Sequence, residues 1–550
     1  MQVWLFRIRI FLSHSKFLKM ALSVDQLSVI DEILELNPDL LADARELIEL
    51  IARETYGPAS QEEIDAQLER LLFEAVLPGR TIDITQFANV EEGETVDLNG
   101  TVIASVLANN GTITDSEGRF GDNLFAGVVF NGGDIDLDPG EDLIIGLGGG
   151  ISSIGTISTG GQLDLVSGTD LGNNDVEGIT NFRGLIDLGN GNDRLVGNAV
   201  GILDACGVEN VFGVIETGRG NDLIDGEAAA VDLAFGIENI DAGVISTGTG
   251  NDVVLGVADD FLAFANFGFM AGILNDFDSV IDTGANDDLV EGVAIVEDAD
   301  SFGGTVYGLA NLVSEIYTGG GNDVLVGEAF TLGEQDETSG IASEGFDPAD
   351  RALIDLGSGN DLVFGFAEGF SVFTNGIELI NSDLKSKSGN NIIEGEAIGG
   401  IVASGIFLDS SSTIKLGGGN DIVAGFAYDG FESNEGITNW GKISTGAGDD
   451  IVESLFGDFG GEGATNLGRG DDLILGFGTG NFNGGAGTDI IKLTTGIYRF
   501  DDNTLTREED GVSMGLRRVE GLSGIADDEA LLLVDGATYI VGENNSALFF

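Results

Sequence analysis

The chain has 550 residues with 94 acidic residues against 23 Lys and Arg, so its net charge is −71. Such a field repels phosphate and anionic lipid, which argues against any nucleic-acid-binding function. A hydrophobic content of 42% excludes a disordered acidic chain. Cys206 is the single cysteine and His14 the single histidine, which excludes disulfide scaffolds and Cys- or His-based metal centres. No apolar run is long enough to predict a membrane span.

The N-terminal part predicts two segments that differ from the rest. Residues 1–20 form a leader of uncertain status, because charges such as Arg7 and Arg9 break its apolar runs, and Met20 is an alternative start. Residues 21–78 predict helices, with an N-cap at Asn37 and a capping box that begins at Ser60. We expect this helical region to cover the end of the following domain, and a separate binding module is the alternative.

Residues 79–495 carry a glycine-rich repeat, of which Thr217-Gly-Arg-Gly-Asn-Asp222-Leu-Ile-Asp-Gly226 is typical. Its steps between Asp193 and Asp450 run from 29 to 38 residues, as in solenoids. Asn391 and Asn123 stand in the Asp slot of two degenerate copies. The last Asp of the turn lies at Asp142, Asp193, Asp222, Asp252, Asp288, Asp323, Asp361, Asp421, Asp450, Asp472 and Asp489.

The spacing of residues within each repeat varies less than the distance from one repeat to the next. An aliphatic residue such as Ile215 stands seven positions before the turn Asp, and a glycine such as Gly207 or Gly345 stands 14 to 16 positions before it. In six repeats an Asn, for example Asn210, follows that glycine by three positions, and we interpret these asparagines as a structural ladder. The units are too short for propeller blades. The sequence therefore predicts a mainly β fold, a parallel β-solenoid with a small N-terminal helical region.

Stacking such coils about 4.8 Å apart would place the turn carboxylates in one column. Each neighbouring pair of charges would cost roughly 1 kcal/mol in water and roughly 3 kcal/mol at an effective dielectric of 20. No basic residue recurs beside the Asp, so a bound cation is the expected remedy. An all-oxygen site of carboxylates and turn carbonyls favours Ca²⁺ over Mg²⁺, Zn²⁺ or copper.

The phrase Gly-x-Gly-Asn-Asp-x-aliphatic-x-Gly resembles the nonapeptide of RTX (hemolysin-type) calcium-binding repeats. The resemblance implies that the eleven turn aspartates bind Ca²⁺ between coils and that the aliphatic residue two positions later points inward. The inward residues would include Ile224, Val254, Val290, Leu325 and Val363. The match departs from the family pattern in its first glycine, in its long period and in the apolar residue after the Asp. It therefore implies a wider solenoid with one calcium column, in which the site at Asn391 is weak or empty.

Residues 496–550 predict a C-terminal β cap, and their apolar end resembles the uncleaved signal of type I secretion substrates. We therefore expect a secreted, extracellular or cell-surface protein that folds on binding Ca²⁺ and has a structural or surface-interaction role without enzymatic activity. A surface polysaccharide or protein is the possible partner, as for an adhesin. The alternative is a parallel β-helix enzyme acting on polysaccharide, namely a lyase, an epimerase or a carboxylate-based hydrolase.

Overall fold

A computed structural model describes residues 88–550 except 92, 98–100, 115–122, 138–141, 173–174, 231, 261–267, 297–302, 528, 543–546 and 550. The leader at residues 1–20 and the helical region at residues 21–78 lie outside the described residues. Every regular element in the described part is a β-strand. No helix in that part has the length and apolar character needed to cross a membrane.

The strands follow one another in chain order. The first coils contain β1 Ala88–Val90, β2 Thr95–Asp97, β3 Thr101–Asn109, β4 Thr112–Thr114, β5 Asn123–Asn131, β6 Asp134–Asp136, β7 Leu143–Leu147, β8 Ile151–Ser153, β9 Thr156–Ser158, β10 Leu165–Leu171, β11 Val176–Phe182 and β12 Leu185–Asp187. The next coils contain β13 Arg194–Val200, β14 Asp204–Val211, β15 Val214–Glu216, β16 Leu223–Ala230, β17 Leu233–Ile240, β18 Val244–Ser246, β19 Val253–Asp260, β20 Gly268–Asp276, β21 Val280–Asp282, β22 Leu289–Val296, β23 Gly304–Leu312 and β24 Glu315–Tyr317.

The remaining strands complete the solenoid and the C-terminal region. The later coils contain β25 Val324–Thr331, β26 Glu337–Glu344, β27 Ala352–Asp355, β28 Leu362–Gly369, β29 Phe373–Ile380, β30 Ser382–Lys385, β31 Ile392–Gly399, β32 Val402–Leu408, β33 Thr413–Lys415, β34 Ile422–Tyr428, β35 Ser433–Asn439 and β36 Lys442–Ala447. The chain then forms β37 Ile451–Gly460, β38 Ala464–Arg469, β39 Leu473–Gly478, β40 Asn481–Ala486, β41 Ile490–Leu493, β42 Gly496–Asp501, β43 Thr504–Arg507, β44 Ser513–Arg517, β45 Gly521–Gly524, β46 Leu531–Leu532, β47 Ala537–Val541 and β48 Ala547–Phe549.

Each full coil contributes three strands to three parallel rows. β13 pairs with β16, β14 with β17 and β15 with β18, and in every case the partner is the equivalent strand of the next coil. The register joins like to like, so that Ile215 pairs with Ile245 and Gly226 with Gly256. The architecture is a parallel β-solenoid, as the sequence predicts.

The interior consists of aliphatic columns, because identical positions stack on one another. The aliphatic residues seven positions before the turn Asp are fully buried from Ile186 to Ile443. The five residues predicted to point inward two positions after the turn are also fully buried, at Ile224, Val254, Val290, Leu325 and Val363. Burying each such side chain contributes about 1.5–3 kcal/mol. These columns hold the coils in register and thereby fix the position of the turns.

The recurrent asparagines form the predicted structural ladder. Asn210 Nδ2 donates to Asn239 Oδ1 at 2.7 Å, and Asn239 Nδ2 donates to Asn275 Oδ1 at 2.8 Å. The same Nδ2 of Asn210 also donates to the carbonyl oxygens of Gly213 and Val244. An amide can form such a column without help because it carries both donors and an acceptor. The amides from Asn181 to Asn311 therefore bond to one another and to nearby carbonyl oxygens, which is a structural role.

Two residues were assigned to the wrong repeat position from the sequence, because the strand pairing aligns a neighbouring residue there instead. The glycine of the Asp361 coil that aligns with Gly308 and Gly376 is Gly340, not Gly345, because β26 pairs Ser339 with Tyr307 and Asn375. This coil has extra residues on both sides of β26, with five residues between β25 and β26 and seven between β26 and β27. Asn123 pairs with Leu143, one residue beyond Asp142, so Asn123 itself lies one position past the slot.

The coils shorten toward the C-terminus and the pairing then changes direction. The distance along the chain between successive turn aspartates falls to 22 residues from Asp450 to Asp472 and to 17 from Asp472 to Asp489. From Gly496 onward β42, β43 and β47 pair antiparallel. The last coil itself pairs in parallel with β44 and β45, and the antiparallel strands β43 and β46 then cover these two edges.

Gly256 tests the close packing of the coils. A methyl group there would lie 2.1 Å from the carbonyl oxygen of Gly272 and 2.7 Å from Ile273 Cγ1. We expect Gly256→Ala to lower the free energy of unfolding by about 1–3 kcal/mol, measured by denaturant unfolding. Gly320→Ala is the control, because its nearest contact would be Ser358 Oγ at 3.5 Å. Equal stability of the two variants would contradict the strand register.

Candidate metal centre: the buried aspartate column

The glycine turns stack as regularly as the strands. Gly218 and Gly220 have φ values of +94° and +147°, which glycine adopts without steric cost. The N–H of Arg219 donates to the Gly189 carbonyl at 3.0 Å, and the N–H of Gly220 donates to the Thr249 carbonyl at 2.9 Å. Each turn is therefore bonded to the turns above and below it. This stacking brings the Asp at the start of the next strand to the same place in every coil.

The eleven predicted aspartates lie in a single buried column. None of them is more than 4% exposed. From Asp193 onward, each Oδ1 accepts a hydrogen bond from the backbone N–H of the previous member, as when Asp222 N–H donates to Asp252 Oδ1 at 2.9 Å and Asp323 N–H donates to Asp361 Oδ1 at 3.1 Å. The same bond recurs down to Asp472 N–H and Asp489 Oδ1 at 3.0 Å. In this structure the column is continuous from Asp142 to Asp489.

Two members of the column were not predicted from the sequence. Asp164 accepts the N–H of Asp142 and donates its own N–H to Asp193 Oδ1, both at 2.8 Å. Its turn lacks the Gly-x-Asp motif. The buried residue Ile157 nevertheless stands seven positions before Asp164, so the rule that an aliphatic residue precedes each turn Asp by seven positions could have identified Asp164. Glu520 ends the column, because its Oε2 accepts the N–H of Asp489 at 2.9 Å. Glu520 belongs to no repeat, so the sequence offers no signal for it.

The second carboxylate oxygen is buried without a hydrogen-bond donor in the described part of the chain. This holds for Oδ2 of Asp193, Asp222, Asp252, Asp288, Asp323, Asp361, Asp421, Asp450, Asp472 and Asp489. The nearby Thr217 hydroxyl does not supply one, because it donates to the Thr247 carbonyl at 3.2 Å. An unpaired buried carboxylate oxygen costs several kcal/mol unless a proton or a cation reaches it.

Asn391 shows which groups the second oxygen faces. Its Oδ1 accepts the N–H of Asp361 at 3.1 Å, as every aspartate of the column does for its predecessor. Its Nδ2 donates to the Gly389 carbonyl at 3.1 Å and to Asp421 Oδ1 at 2.9 Å. Nδ2 occupies the place that Oδ2 takes in an aspartate. Each aspartate therefore directs Oδ2 toward its own turn carbonyl and the next carboxylate, which are both acceptors.

The turn carbonyls also lack donors. Within the described residues no hydrogen bond reaches the carbonyl oxygens of Gly220, Gly250 or Gly359, which are equivalent to that of Gly389. From the geometry of Asn391 we infer that Oδ2, the turn carbonyl and Oδ1 of the next aspartate face one another between neighbouring coils, and only Oδ1 has a donor, the backbone N–H. Two carboxylate oxygens and a carbonyl are a partial ligand set for a hard cation such as Ca²⁺, whose remaining ligands are commonly water.

The residue that precedes each buried aspartate differs from it in both solvent exposure and charge. These side chains are exposed and form a second ladder, in which Asn192 Oδ1 accepts the N–H of Asn221 at 2.8 Å. Most of them are amides, at Asn192, Asn221, Asn251, Asn322, Asn360, Asn390 and Asn420. Because burying a charged group costs more free energy than burying a neutral amide, solvation alone would place carboxylates at the exposed position and amides at the buried one. The chain has the reverse arrangement, so the buried position selects a carboxylate for its charge.

The protein supplies almost no cations of its own along much of the column. Residues 220–350 contain 27 Asp and Glu residues and no Lys, Arg or His. Four column members, from Asp222 to Asp323, lie in this stretch. Their charges are therefore uncompensated by the chain, and neutralisation must come from solvent ions or from protons.

Burial raises the pKa of these carboxyl groups, with a smaller contribution from neighbouring aspartates at several of them, while the backbone N–H bond and, at Asp222 and Asp288, the hydroxyl of Thr217 or Thr283 oppose the rise. The pKa of Asp193 rises to about 8, those of Asp288, Asp361 and Asp472 to about 7, and those of Asp222 and Asp421 to about 6. The ion-free column is therefore partly protonated near neutral pH. Protons and a metal ion would compete for the same oxygens.

A separate group of carboxylates lies on β26 and β29. One carboxylate oxygen from each of Glu337, Glu344 and Glu378 lies within 4.8 Å of the others. Tyr307 donates to Glu344 Oε1 at 3.1 Å, and Ser339 donates to Glu378 Oε2 at 2.9 Å. Burial raises the pKa of Glu344 to about 7 and that of Glu378 well above its usual value. Protonated carboxyl groups can satisfy one another here without an ion.

Comparison with protein-family models, with curated proteins and with solved structures gives no match for this chain. The functional argument therefore rests on the geometry of the column.

The pKa values predict an unusual dependence of stability on pH in the ion-free protein. Because the folded pKa values lie above the 3.8 of free Asp, the folded chain binds more protons than the unfolded chain between about pH 4 and pH 8. Its free energy of unfolding must fall as the pH rises through this range. We expect the melting temperature of metal-stripped protein to decrease from pH 4 to pH 8, and added Ca²⁺ to restore it at pH 8. A melting temperature that rises with pH without Ca²⁺ would contradict the buried column.

Proposed function

We propose that this protein is a secreted calcium-binding β-solenoid, in which Ca²⁺ bound between neighbouring turns links ion binding to extracellular folding. The observation that supports this most directly is the contrast between Asn391 and the aspartates of the column. Where the slot holds an amide, its N–H groups join the turn carbonyl to the next carboxylate. Where it holds a carboxylate, Oδ2 takes the place of that N–H group and is buried without a donor.

The chemistry of the ligands favours calcium among the metal ions. The site offers carboxylate and carbonyl oxygens only, which suits Ca²⁺ with its six to eight ligands and flexible geometry. Mg²⁺ requires a tighter octahedron, and Zn²⁺ or copper prefers His and Cys. A proton is the competing occupant, but protonation would weaken as the pH rises, whereas Ca²⁺ binding would strengthen.

The consequence is a protein whose folding depends on its surroundings. At the low calcium concentration inside cells, repulsion within the column and across residues 220–350 would disfavour the stacked coils. At millimolar calcium outside the cell, binding would contribute directly to the free energy of folding. Together with the resemblance of residues 496–550 to type I secretion signals, this supports an extracellular structural or surface-interaction role, with a surface polysaccharide or protein as the partner.

Asp288 and Asp287 provide a matched pair for testing calcium binding. Asp288→Asn replaces a buried carboxylate with the group that Asn391 carries naturally, and its amide can donate to the Asn286 carbonyl and to Asp323 Oδ1. We expect the variant to fold and to bind one Ca²⁺ fewer by native mass spectrometry. Asp287→Asn removes the same charge from an exposed residue whose Oδ1 accepts the N–H of Asn322, and it should bind as many ions as the wild type.

Two results would overturn the calcium-binding proposal. The first is wild-type protein at millimolar Ca²⁺ and pH 7.5 that holds no ion above the level of a non-binding control protein. The second is equal loss of ions in Asp288→Asn and Asp287→Asn, because general surface charge would then be responsible instead of the buried column. Far-UV circular dichroism of both variants verifies that the solenoid is formed.

A polysaccharide-active enzyme is the second candidate function, and the carboxylate group on β26 and β29 favours it. Glu337, Glu344 and Glu378 bring three carboxyl groups together, burial raises the pKa of Glu344 and of Glu378, and glycosidases use paired carboxyl groups in environments that shift their pKa values. Glu378 is only 6% exposed, which restricts contact with a substrate. Screening neutral and acidic glycans for cleavage, with Glu344→Gln as the control, distinguishes this function from calcium binding alone.

A further inference from the structure

We infer that the coils around Asn391 form a segment that stays folded without calcium and divides the ion column into two separate arrays. The inference rests on the proposed calcium function. It goes beyond that function because, in one stretch of the solenoid, groups of the chain itself instead of Ca²⁺ would compensate the buried carboxylates. The arrays would run from Asp142 to Asp361 and from Asp421 to Asp489.

The amide of Asn391 takes the place of one ion. Its Nδ2 lies 3.1 Å from the Gly389 carbonyl and 2.9 Å from Asp421 Oδ1, so it satisfies two of the oxygens that would otherwise bind the cation. Asn391 is fully buried, and no oxygen of its side chain remains for an ion in the interval toward Asp421. In the interval toward Asp361 the amide contributes a neutral oxygen, so that site has one carboxylate instead of two and binds Ca²⁺ more weakly.

Basic side chains neutralise the same coils from a second face of the solenoid. Arg351 binds both oxygens of Asp383, with Nη2 to Oδ1 at 2.6 Å and Nε to Oδ2 at 3.0 Å. Its Nη1 also donates to the Ser411 carbonyl at 2.9 Å, so this side chain joins three successive coils. Lys385 Nζ lies 3.4 Å from Asp355 Oδ2 in the preceding coil. These contacts follow directly after the stretch at residues 220–350 that has no basic residue.

A hydroxyl network adds to these ion pairs. Asp409 accepts from the N–H of Asn381 at 3.1 Å and from the Ser411 hydroxyl at 2.7 Å, which helps to hold the pKa of Asp409 below its usual value. Ser382 donates to Ser343 across two coils at 2.7 Å. Within these coils the chain itself thus supplies partners for Asp355, Asp383 and Asp409, in addition to the amide that Asn391 contributes to the column.

Hydrogen exchange of the full-length protein tests this segment. We expect wild-type protein in calcium chelator at pH 7.5 to keep slow amide exchange in β28, β31 and β34. The strands β16, β19 and β22, which lie in the stretch without basic residues, should exchange at least about tenfold faster than in saturating Ca²⁺. Uniform loss of protection in all six strands would overturn the inference.

Asn391→Asp and Asn390→Asp give the second test, since they add the same charge to adjacent buried and exposed positions. Asn391→Asp removes the internal donors, so it should bind one additional Ca²⁺ and lose the slow exchange of β31 and β34 in chelator. Asn390→Asp keeps the Oδ1 that accepts from Asn420 and should behave as the wild type. An unchanged ion count in Asn391→Asp, with circular dichroism in Ca²⁺ showing the fold intact, would overturn the division into two arrays.

The two proposals fail in different ways. If the wild type binds no calcium, the proposed function is wrong and this inference falls with it. If the wild type binds calcium but β28, β31 and β34 exchange as fast in chelator as β16, β19 and β22, calcium binding stands and only the inference about Asn391 is wrong.

Discussion

Parallel stacking in register places every residue on a copy of itself, and this constraint decides what each column requires. An isoleucine column is stable because its members pack on one another. An asparagine column such as Asn210, Asn239 and Asn275 is stable because each amide has a donor for the acceptor of its neighbour. An aspartate column has acceptors only. Its Oδ1 atoms find backbone N–H groups, but its Oδ2 atoms require something from outside the chain.

Several features of the solenoid follow from that requirement. The glycine turns adopt positive φ, as at Gly220, and leave a carbonyl beside each carboxylate. The exposed neighbours of the buried aspartates are mostly amides, so charge is concentrated at the position that water cannot reach. Since no basic residue occurs at residues 220–350, the chain offers no internal alternative to an ion there. Under the proposed function, ion binding to the folded chain alone would stabilise such a fold by mass action.

The β-solenoid, the inward aliphatic residues and eleven members of the column could be predicted from the sequence, because they depend on a short local motif and on fixed spacing. Sequence reasoning missed Asp164, whose turn departs from the repeat while its register does not, and Glu520, which reaches the column from beyond the last coil. It assigned Gly345 where Gly340 lies, since an insertion after β26 shifts the count. The donors of Asn391 depend on a neighbour 30 residues away, and spacing alone could not reveal them.

The column persists where other features of the coil change. Successive members are separated by 38 residues between Asp323 and Asp361 but by only 17 between Asp472 and Asp489, where each coil has lost one of its three strands. The hydrogen bond between N–H and Oδ1 is nevertheless 3.1 Å in the first pair and 3.0 Å in the second. Coil length, loops and even the number of faces vary around a constant stack of turns. The stack of turns is therefore the part of the coil that stays constant while the loops and strands around it change.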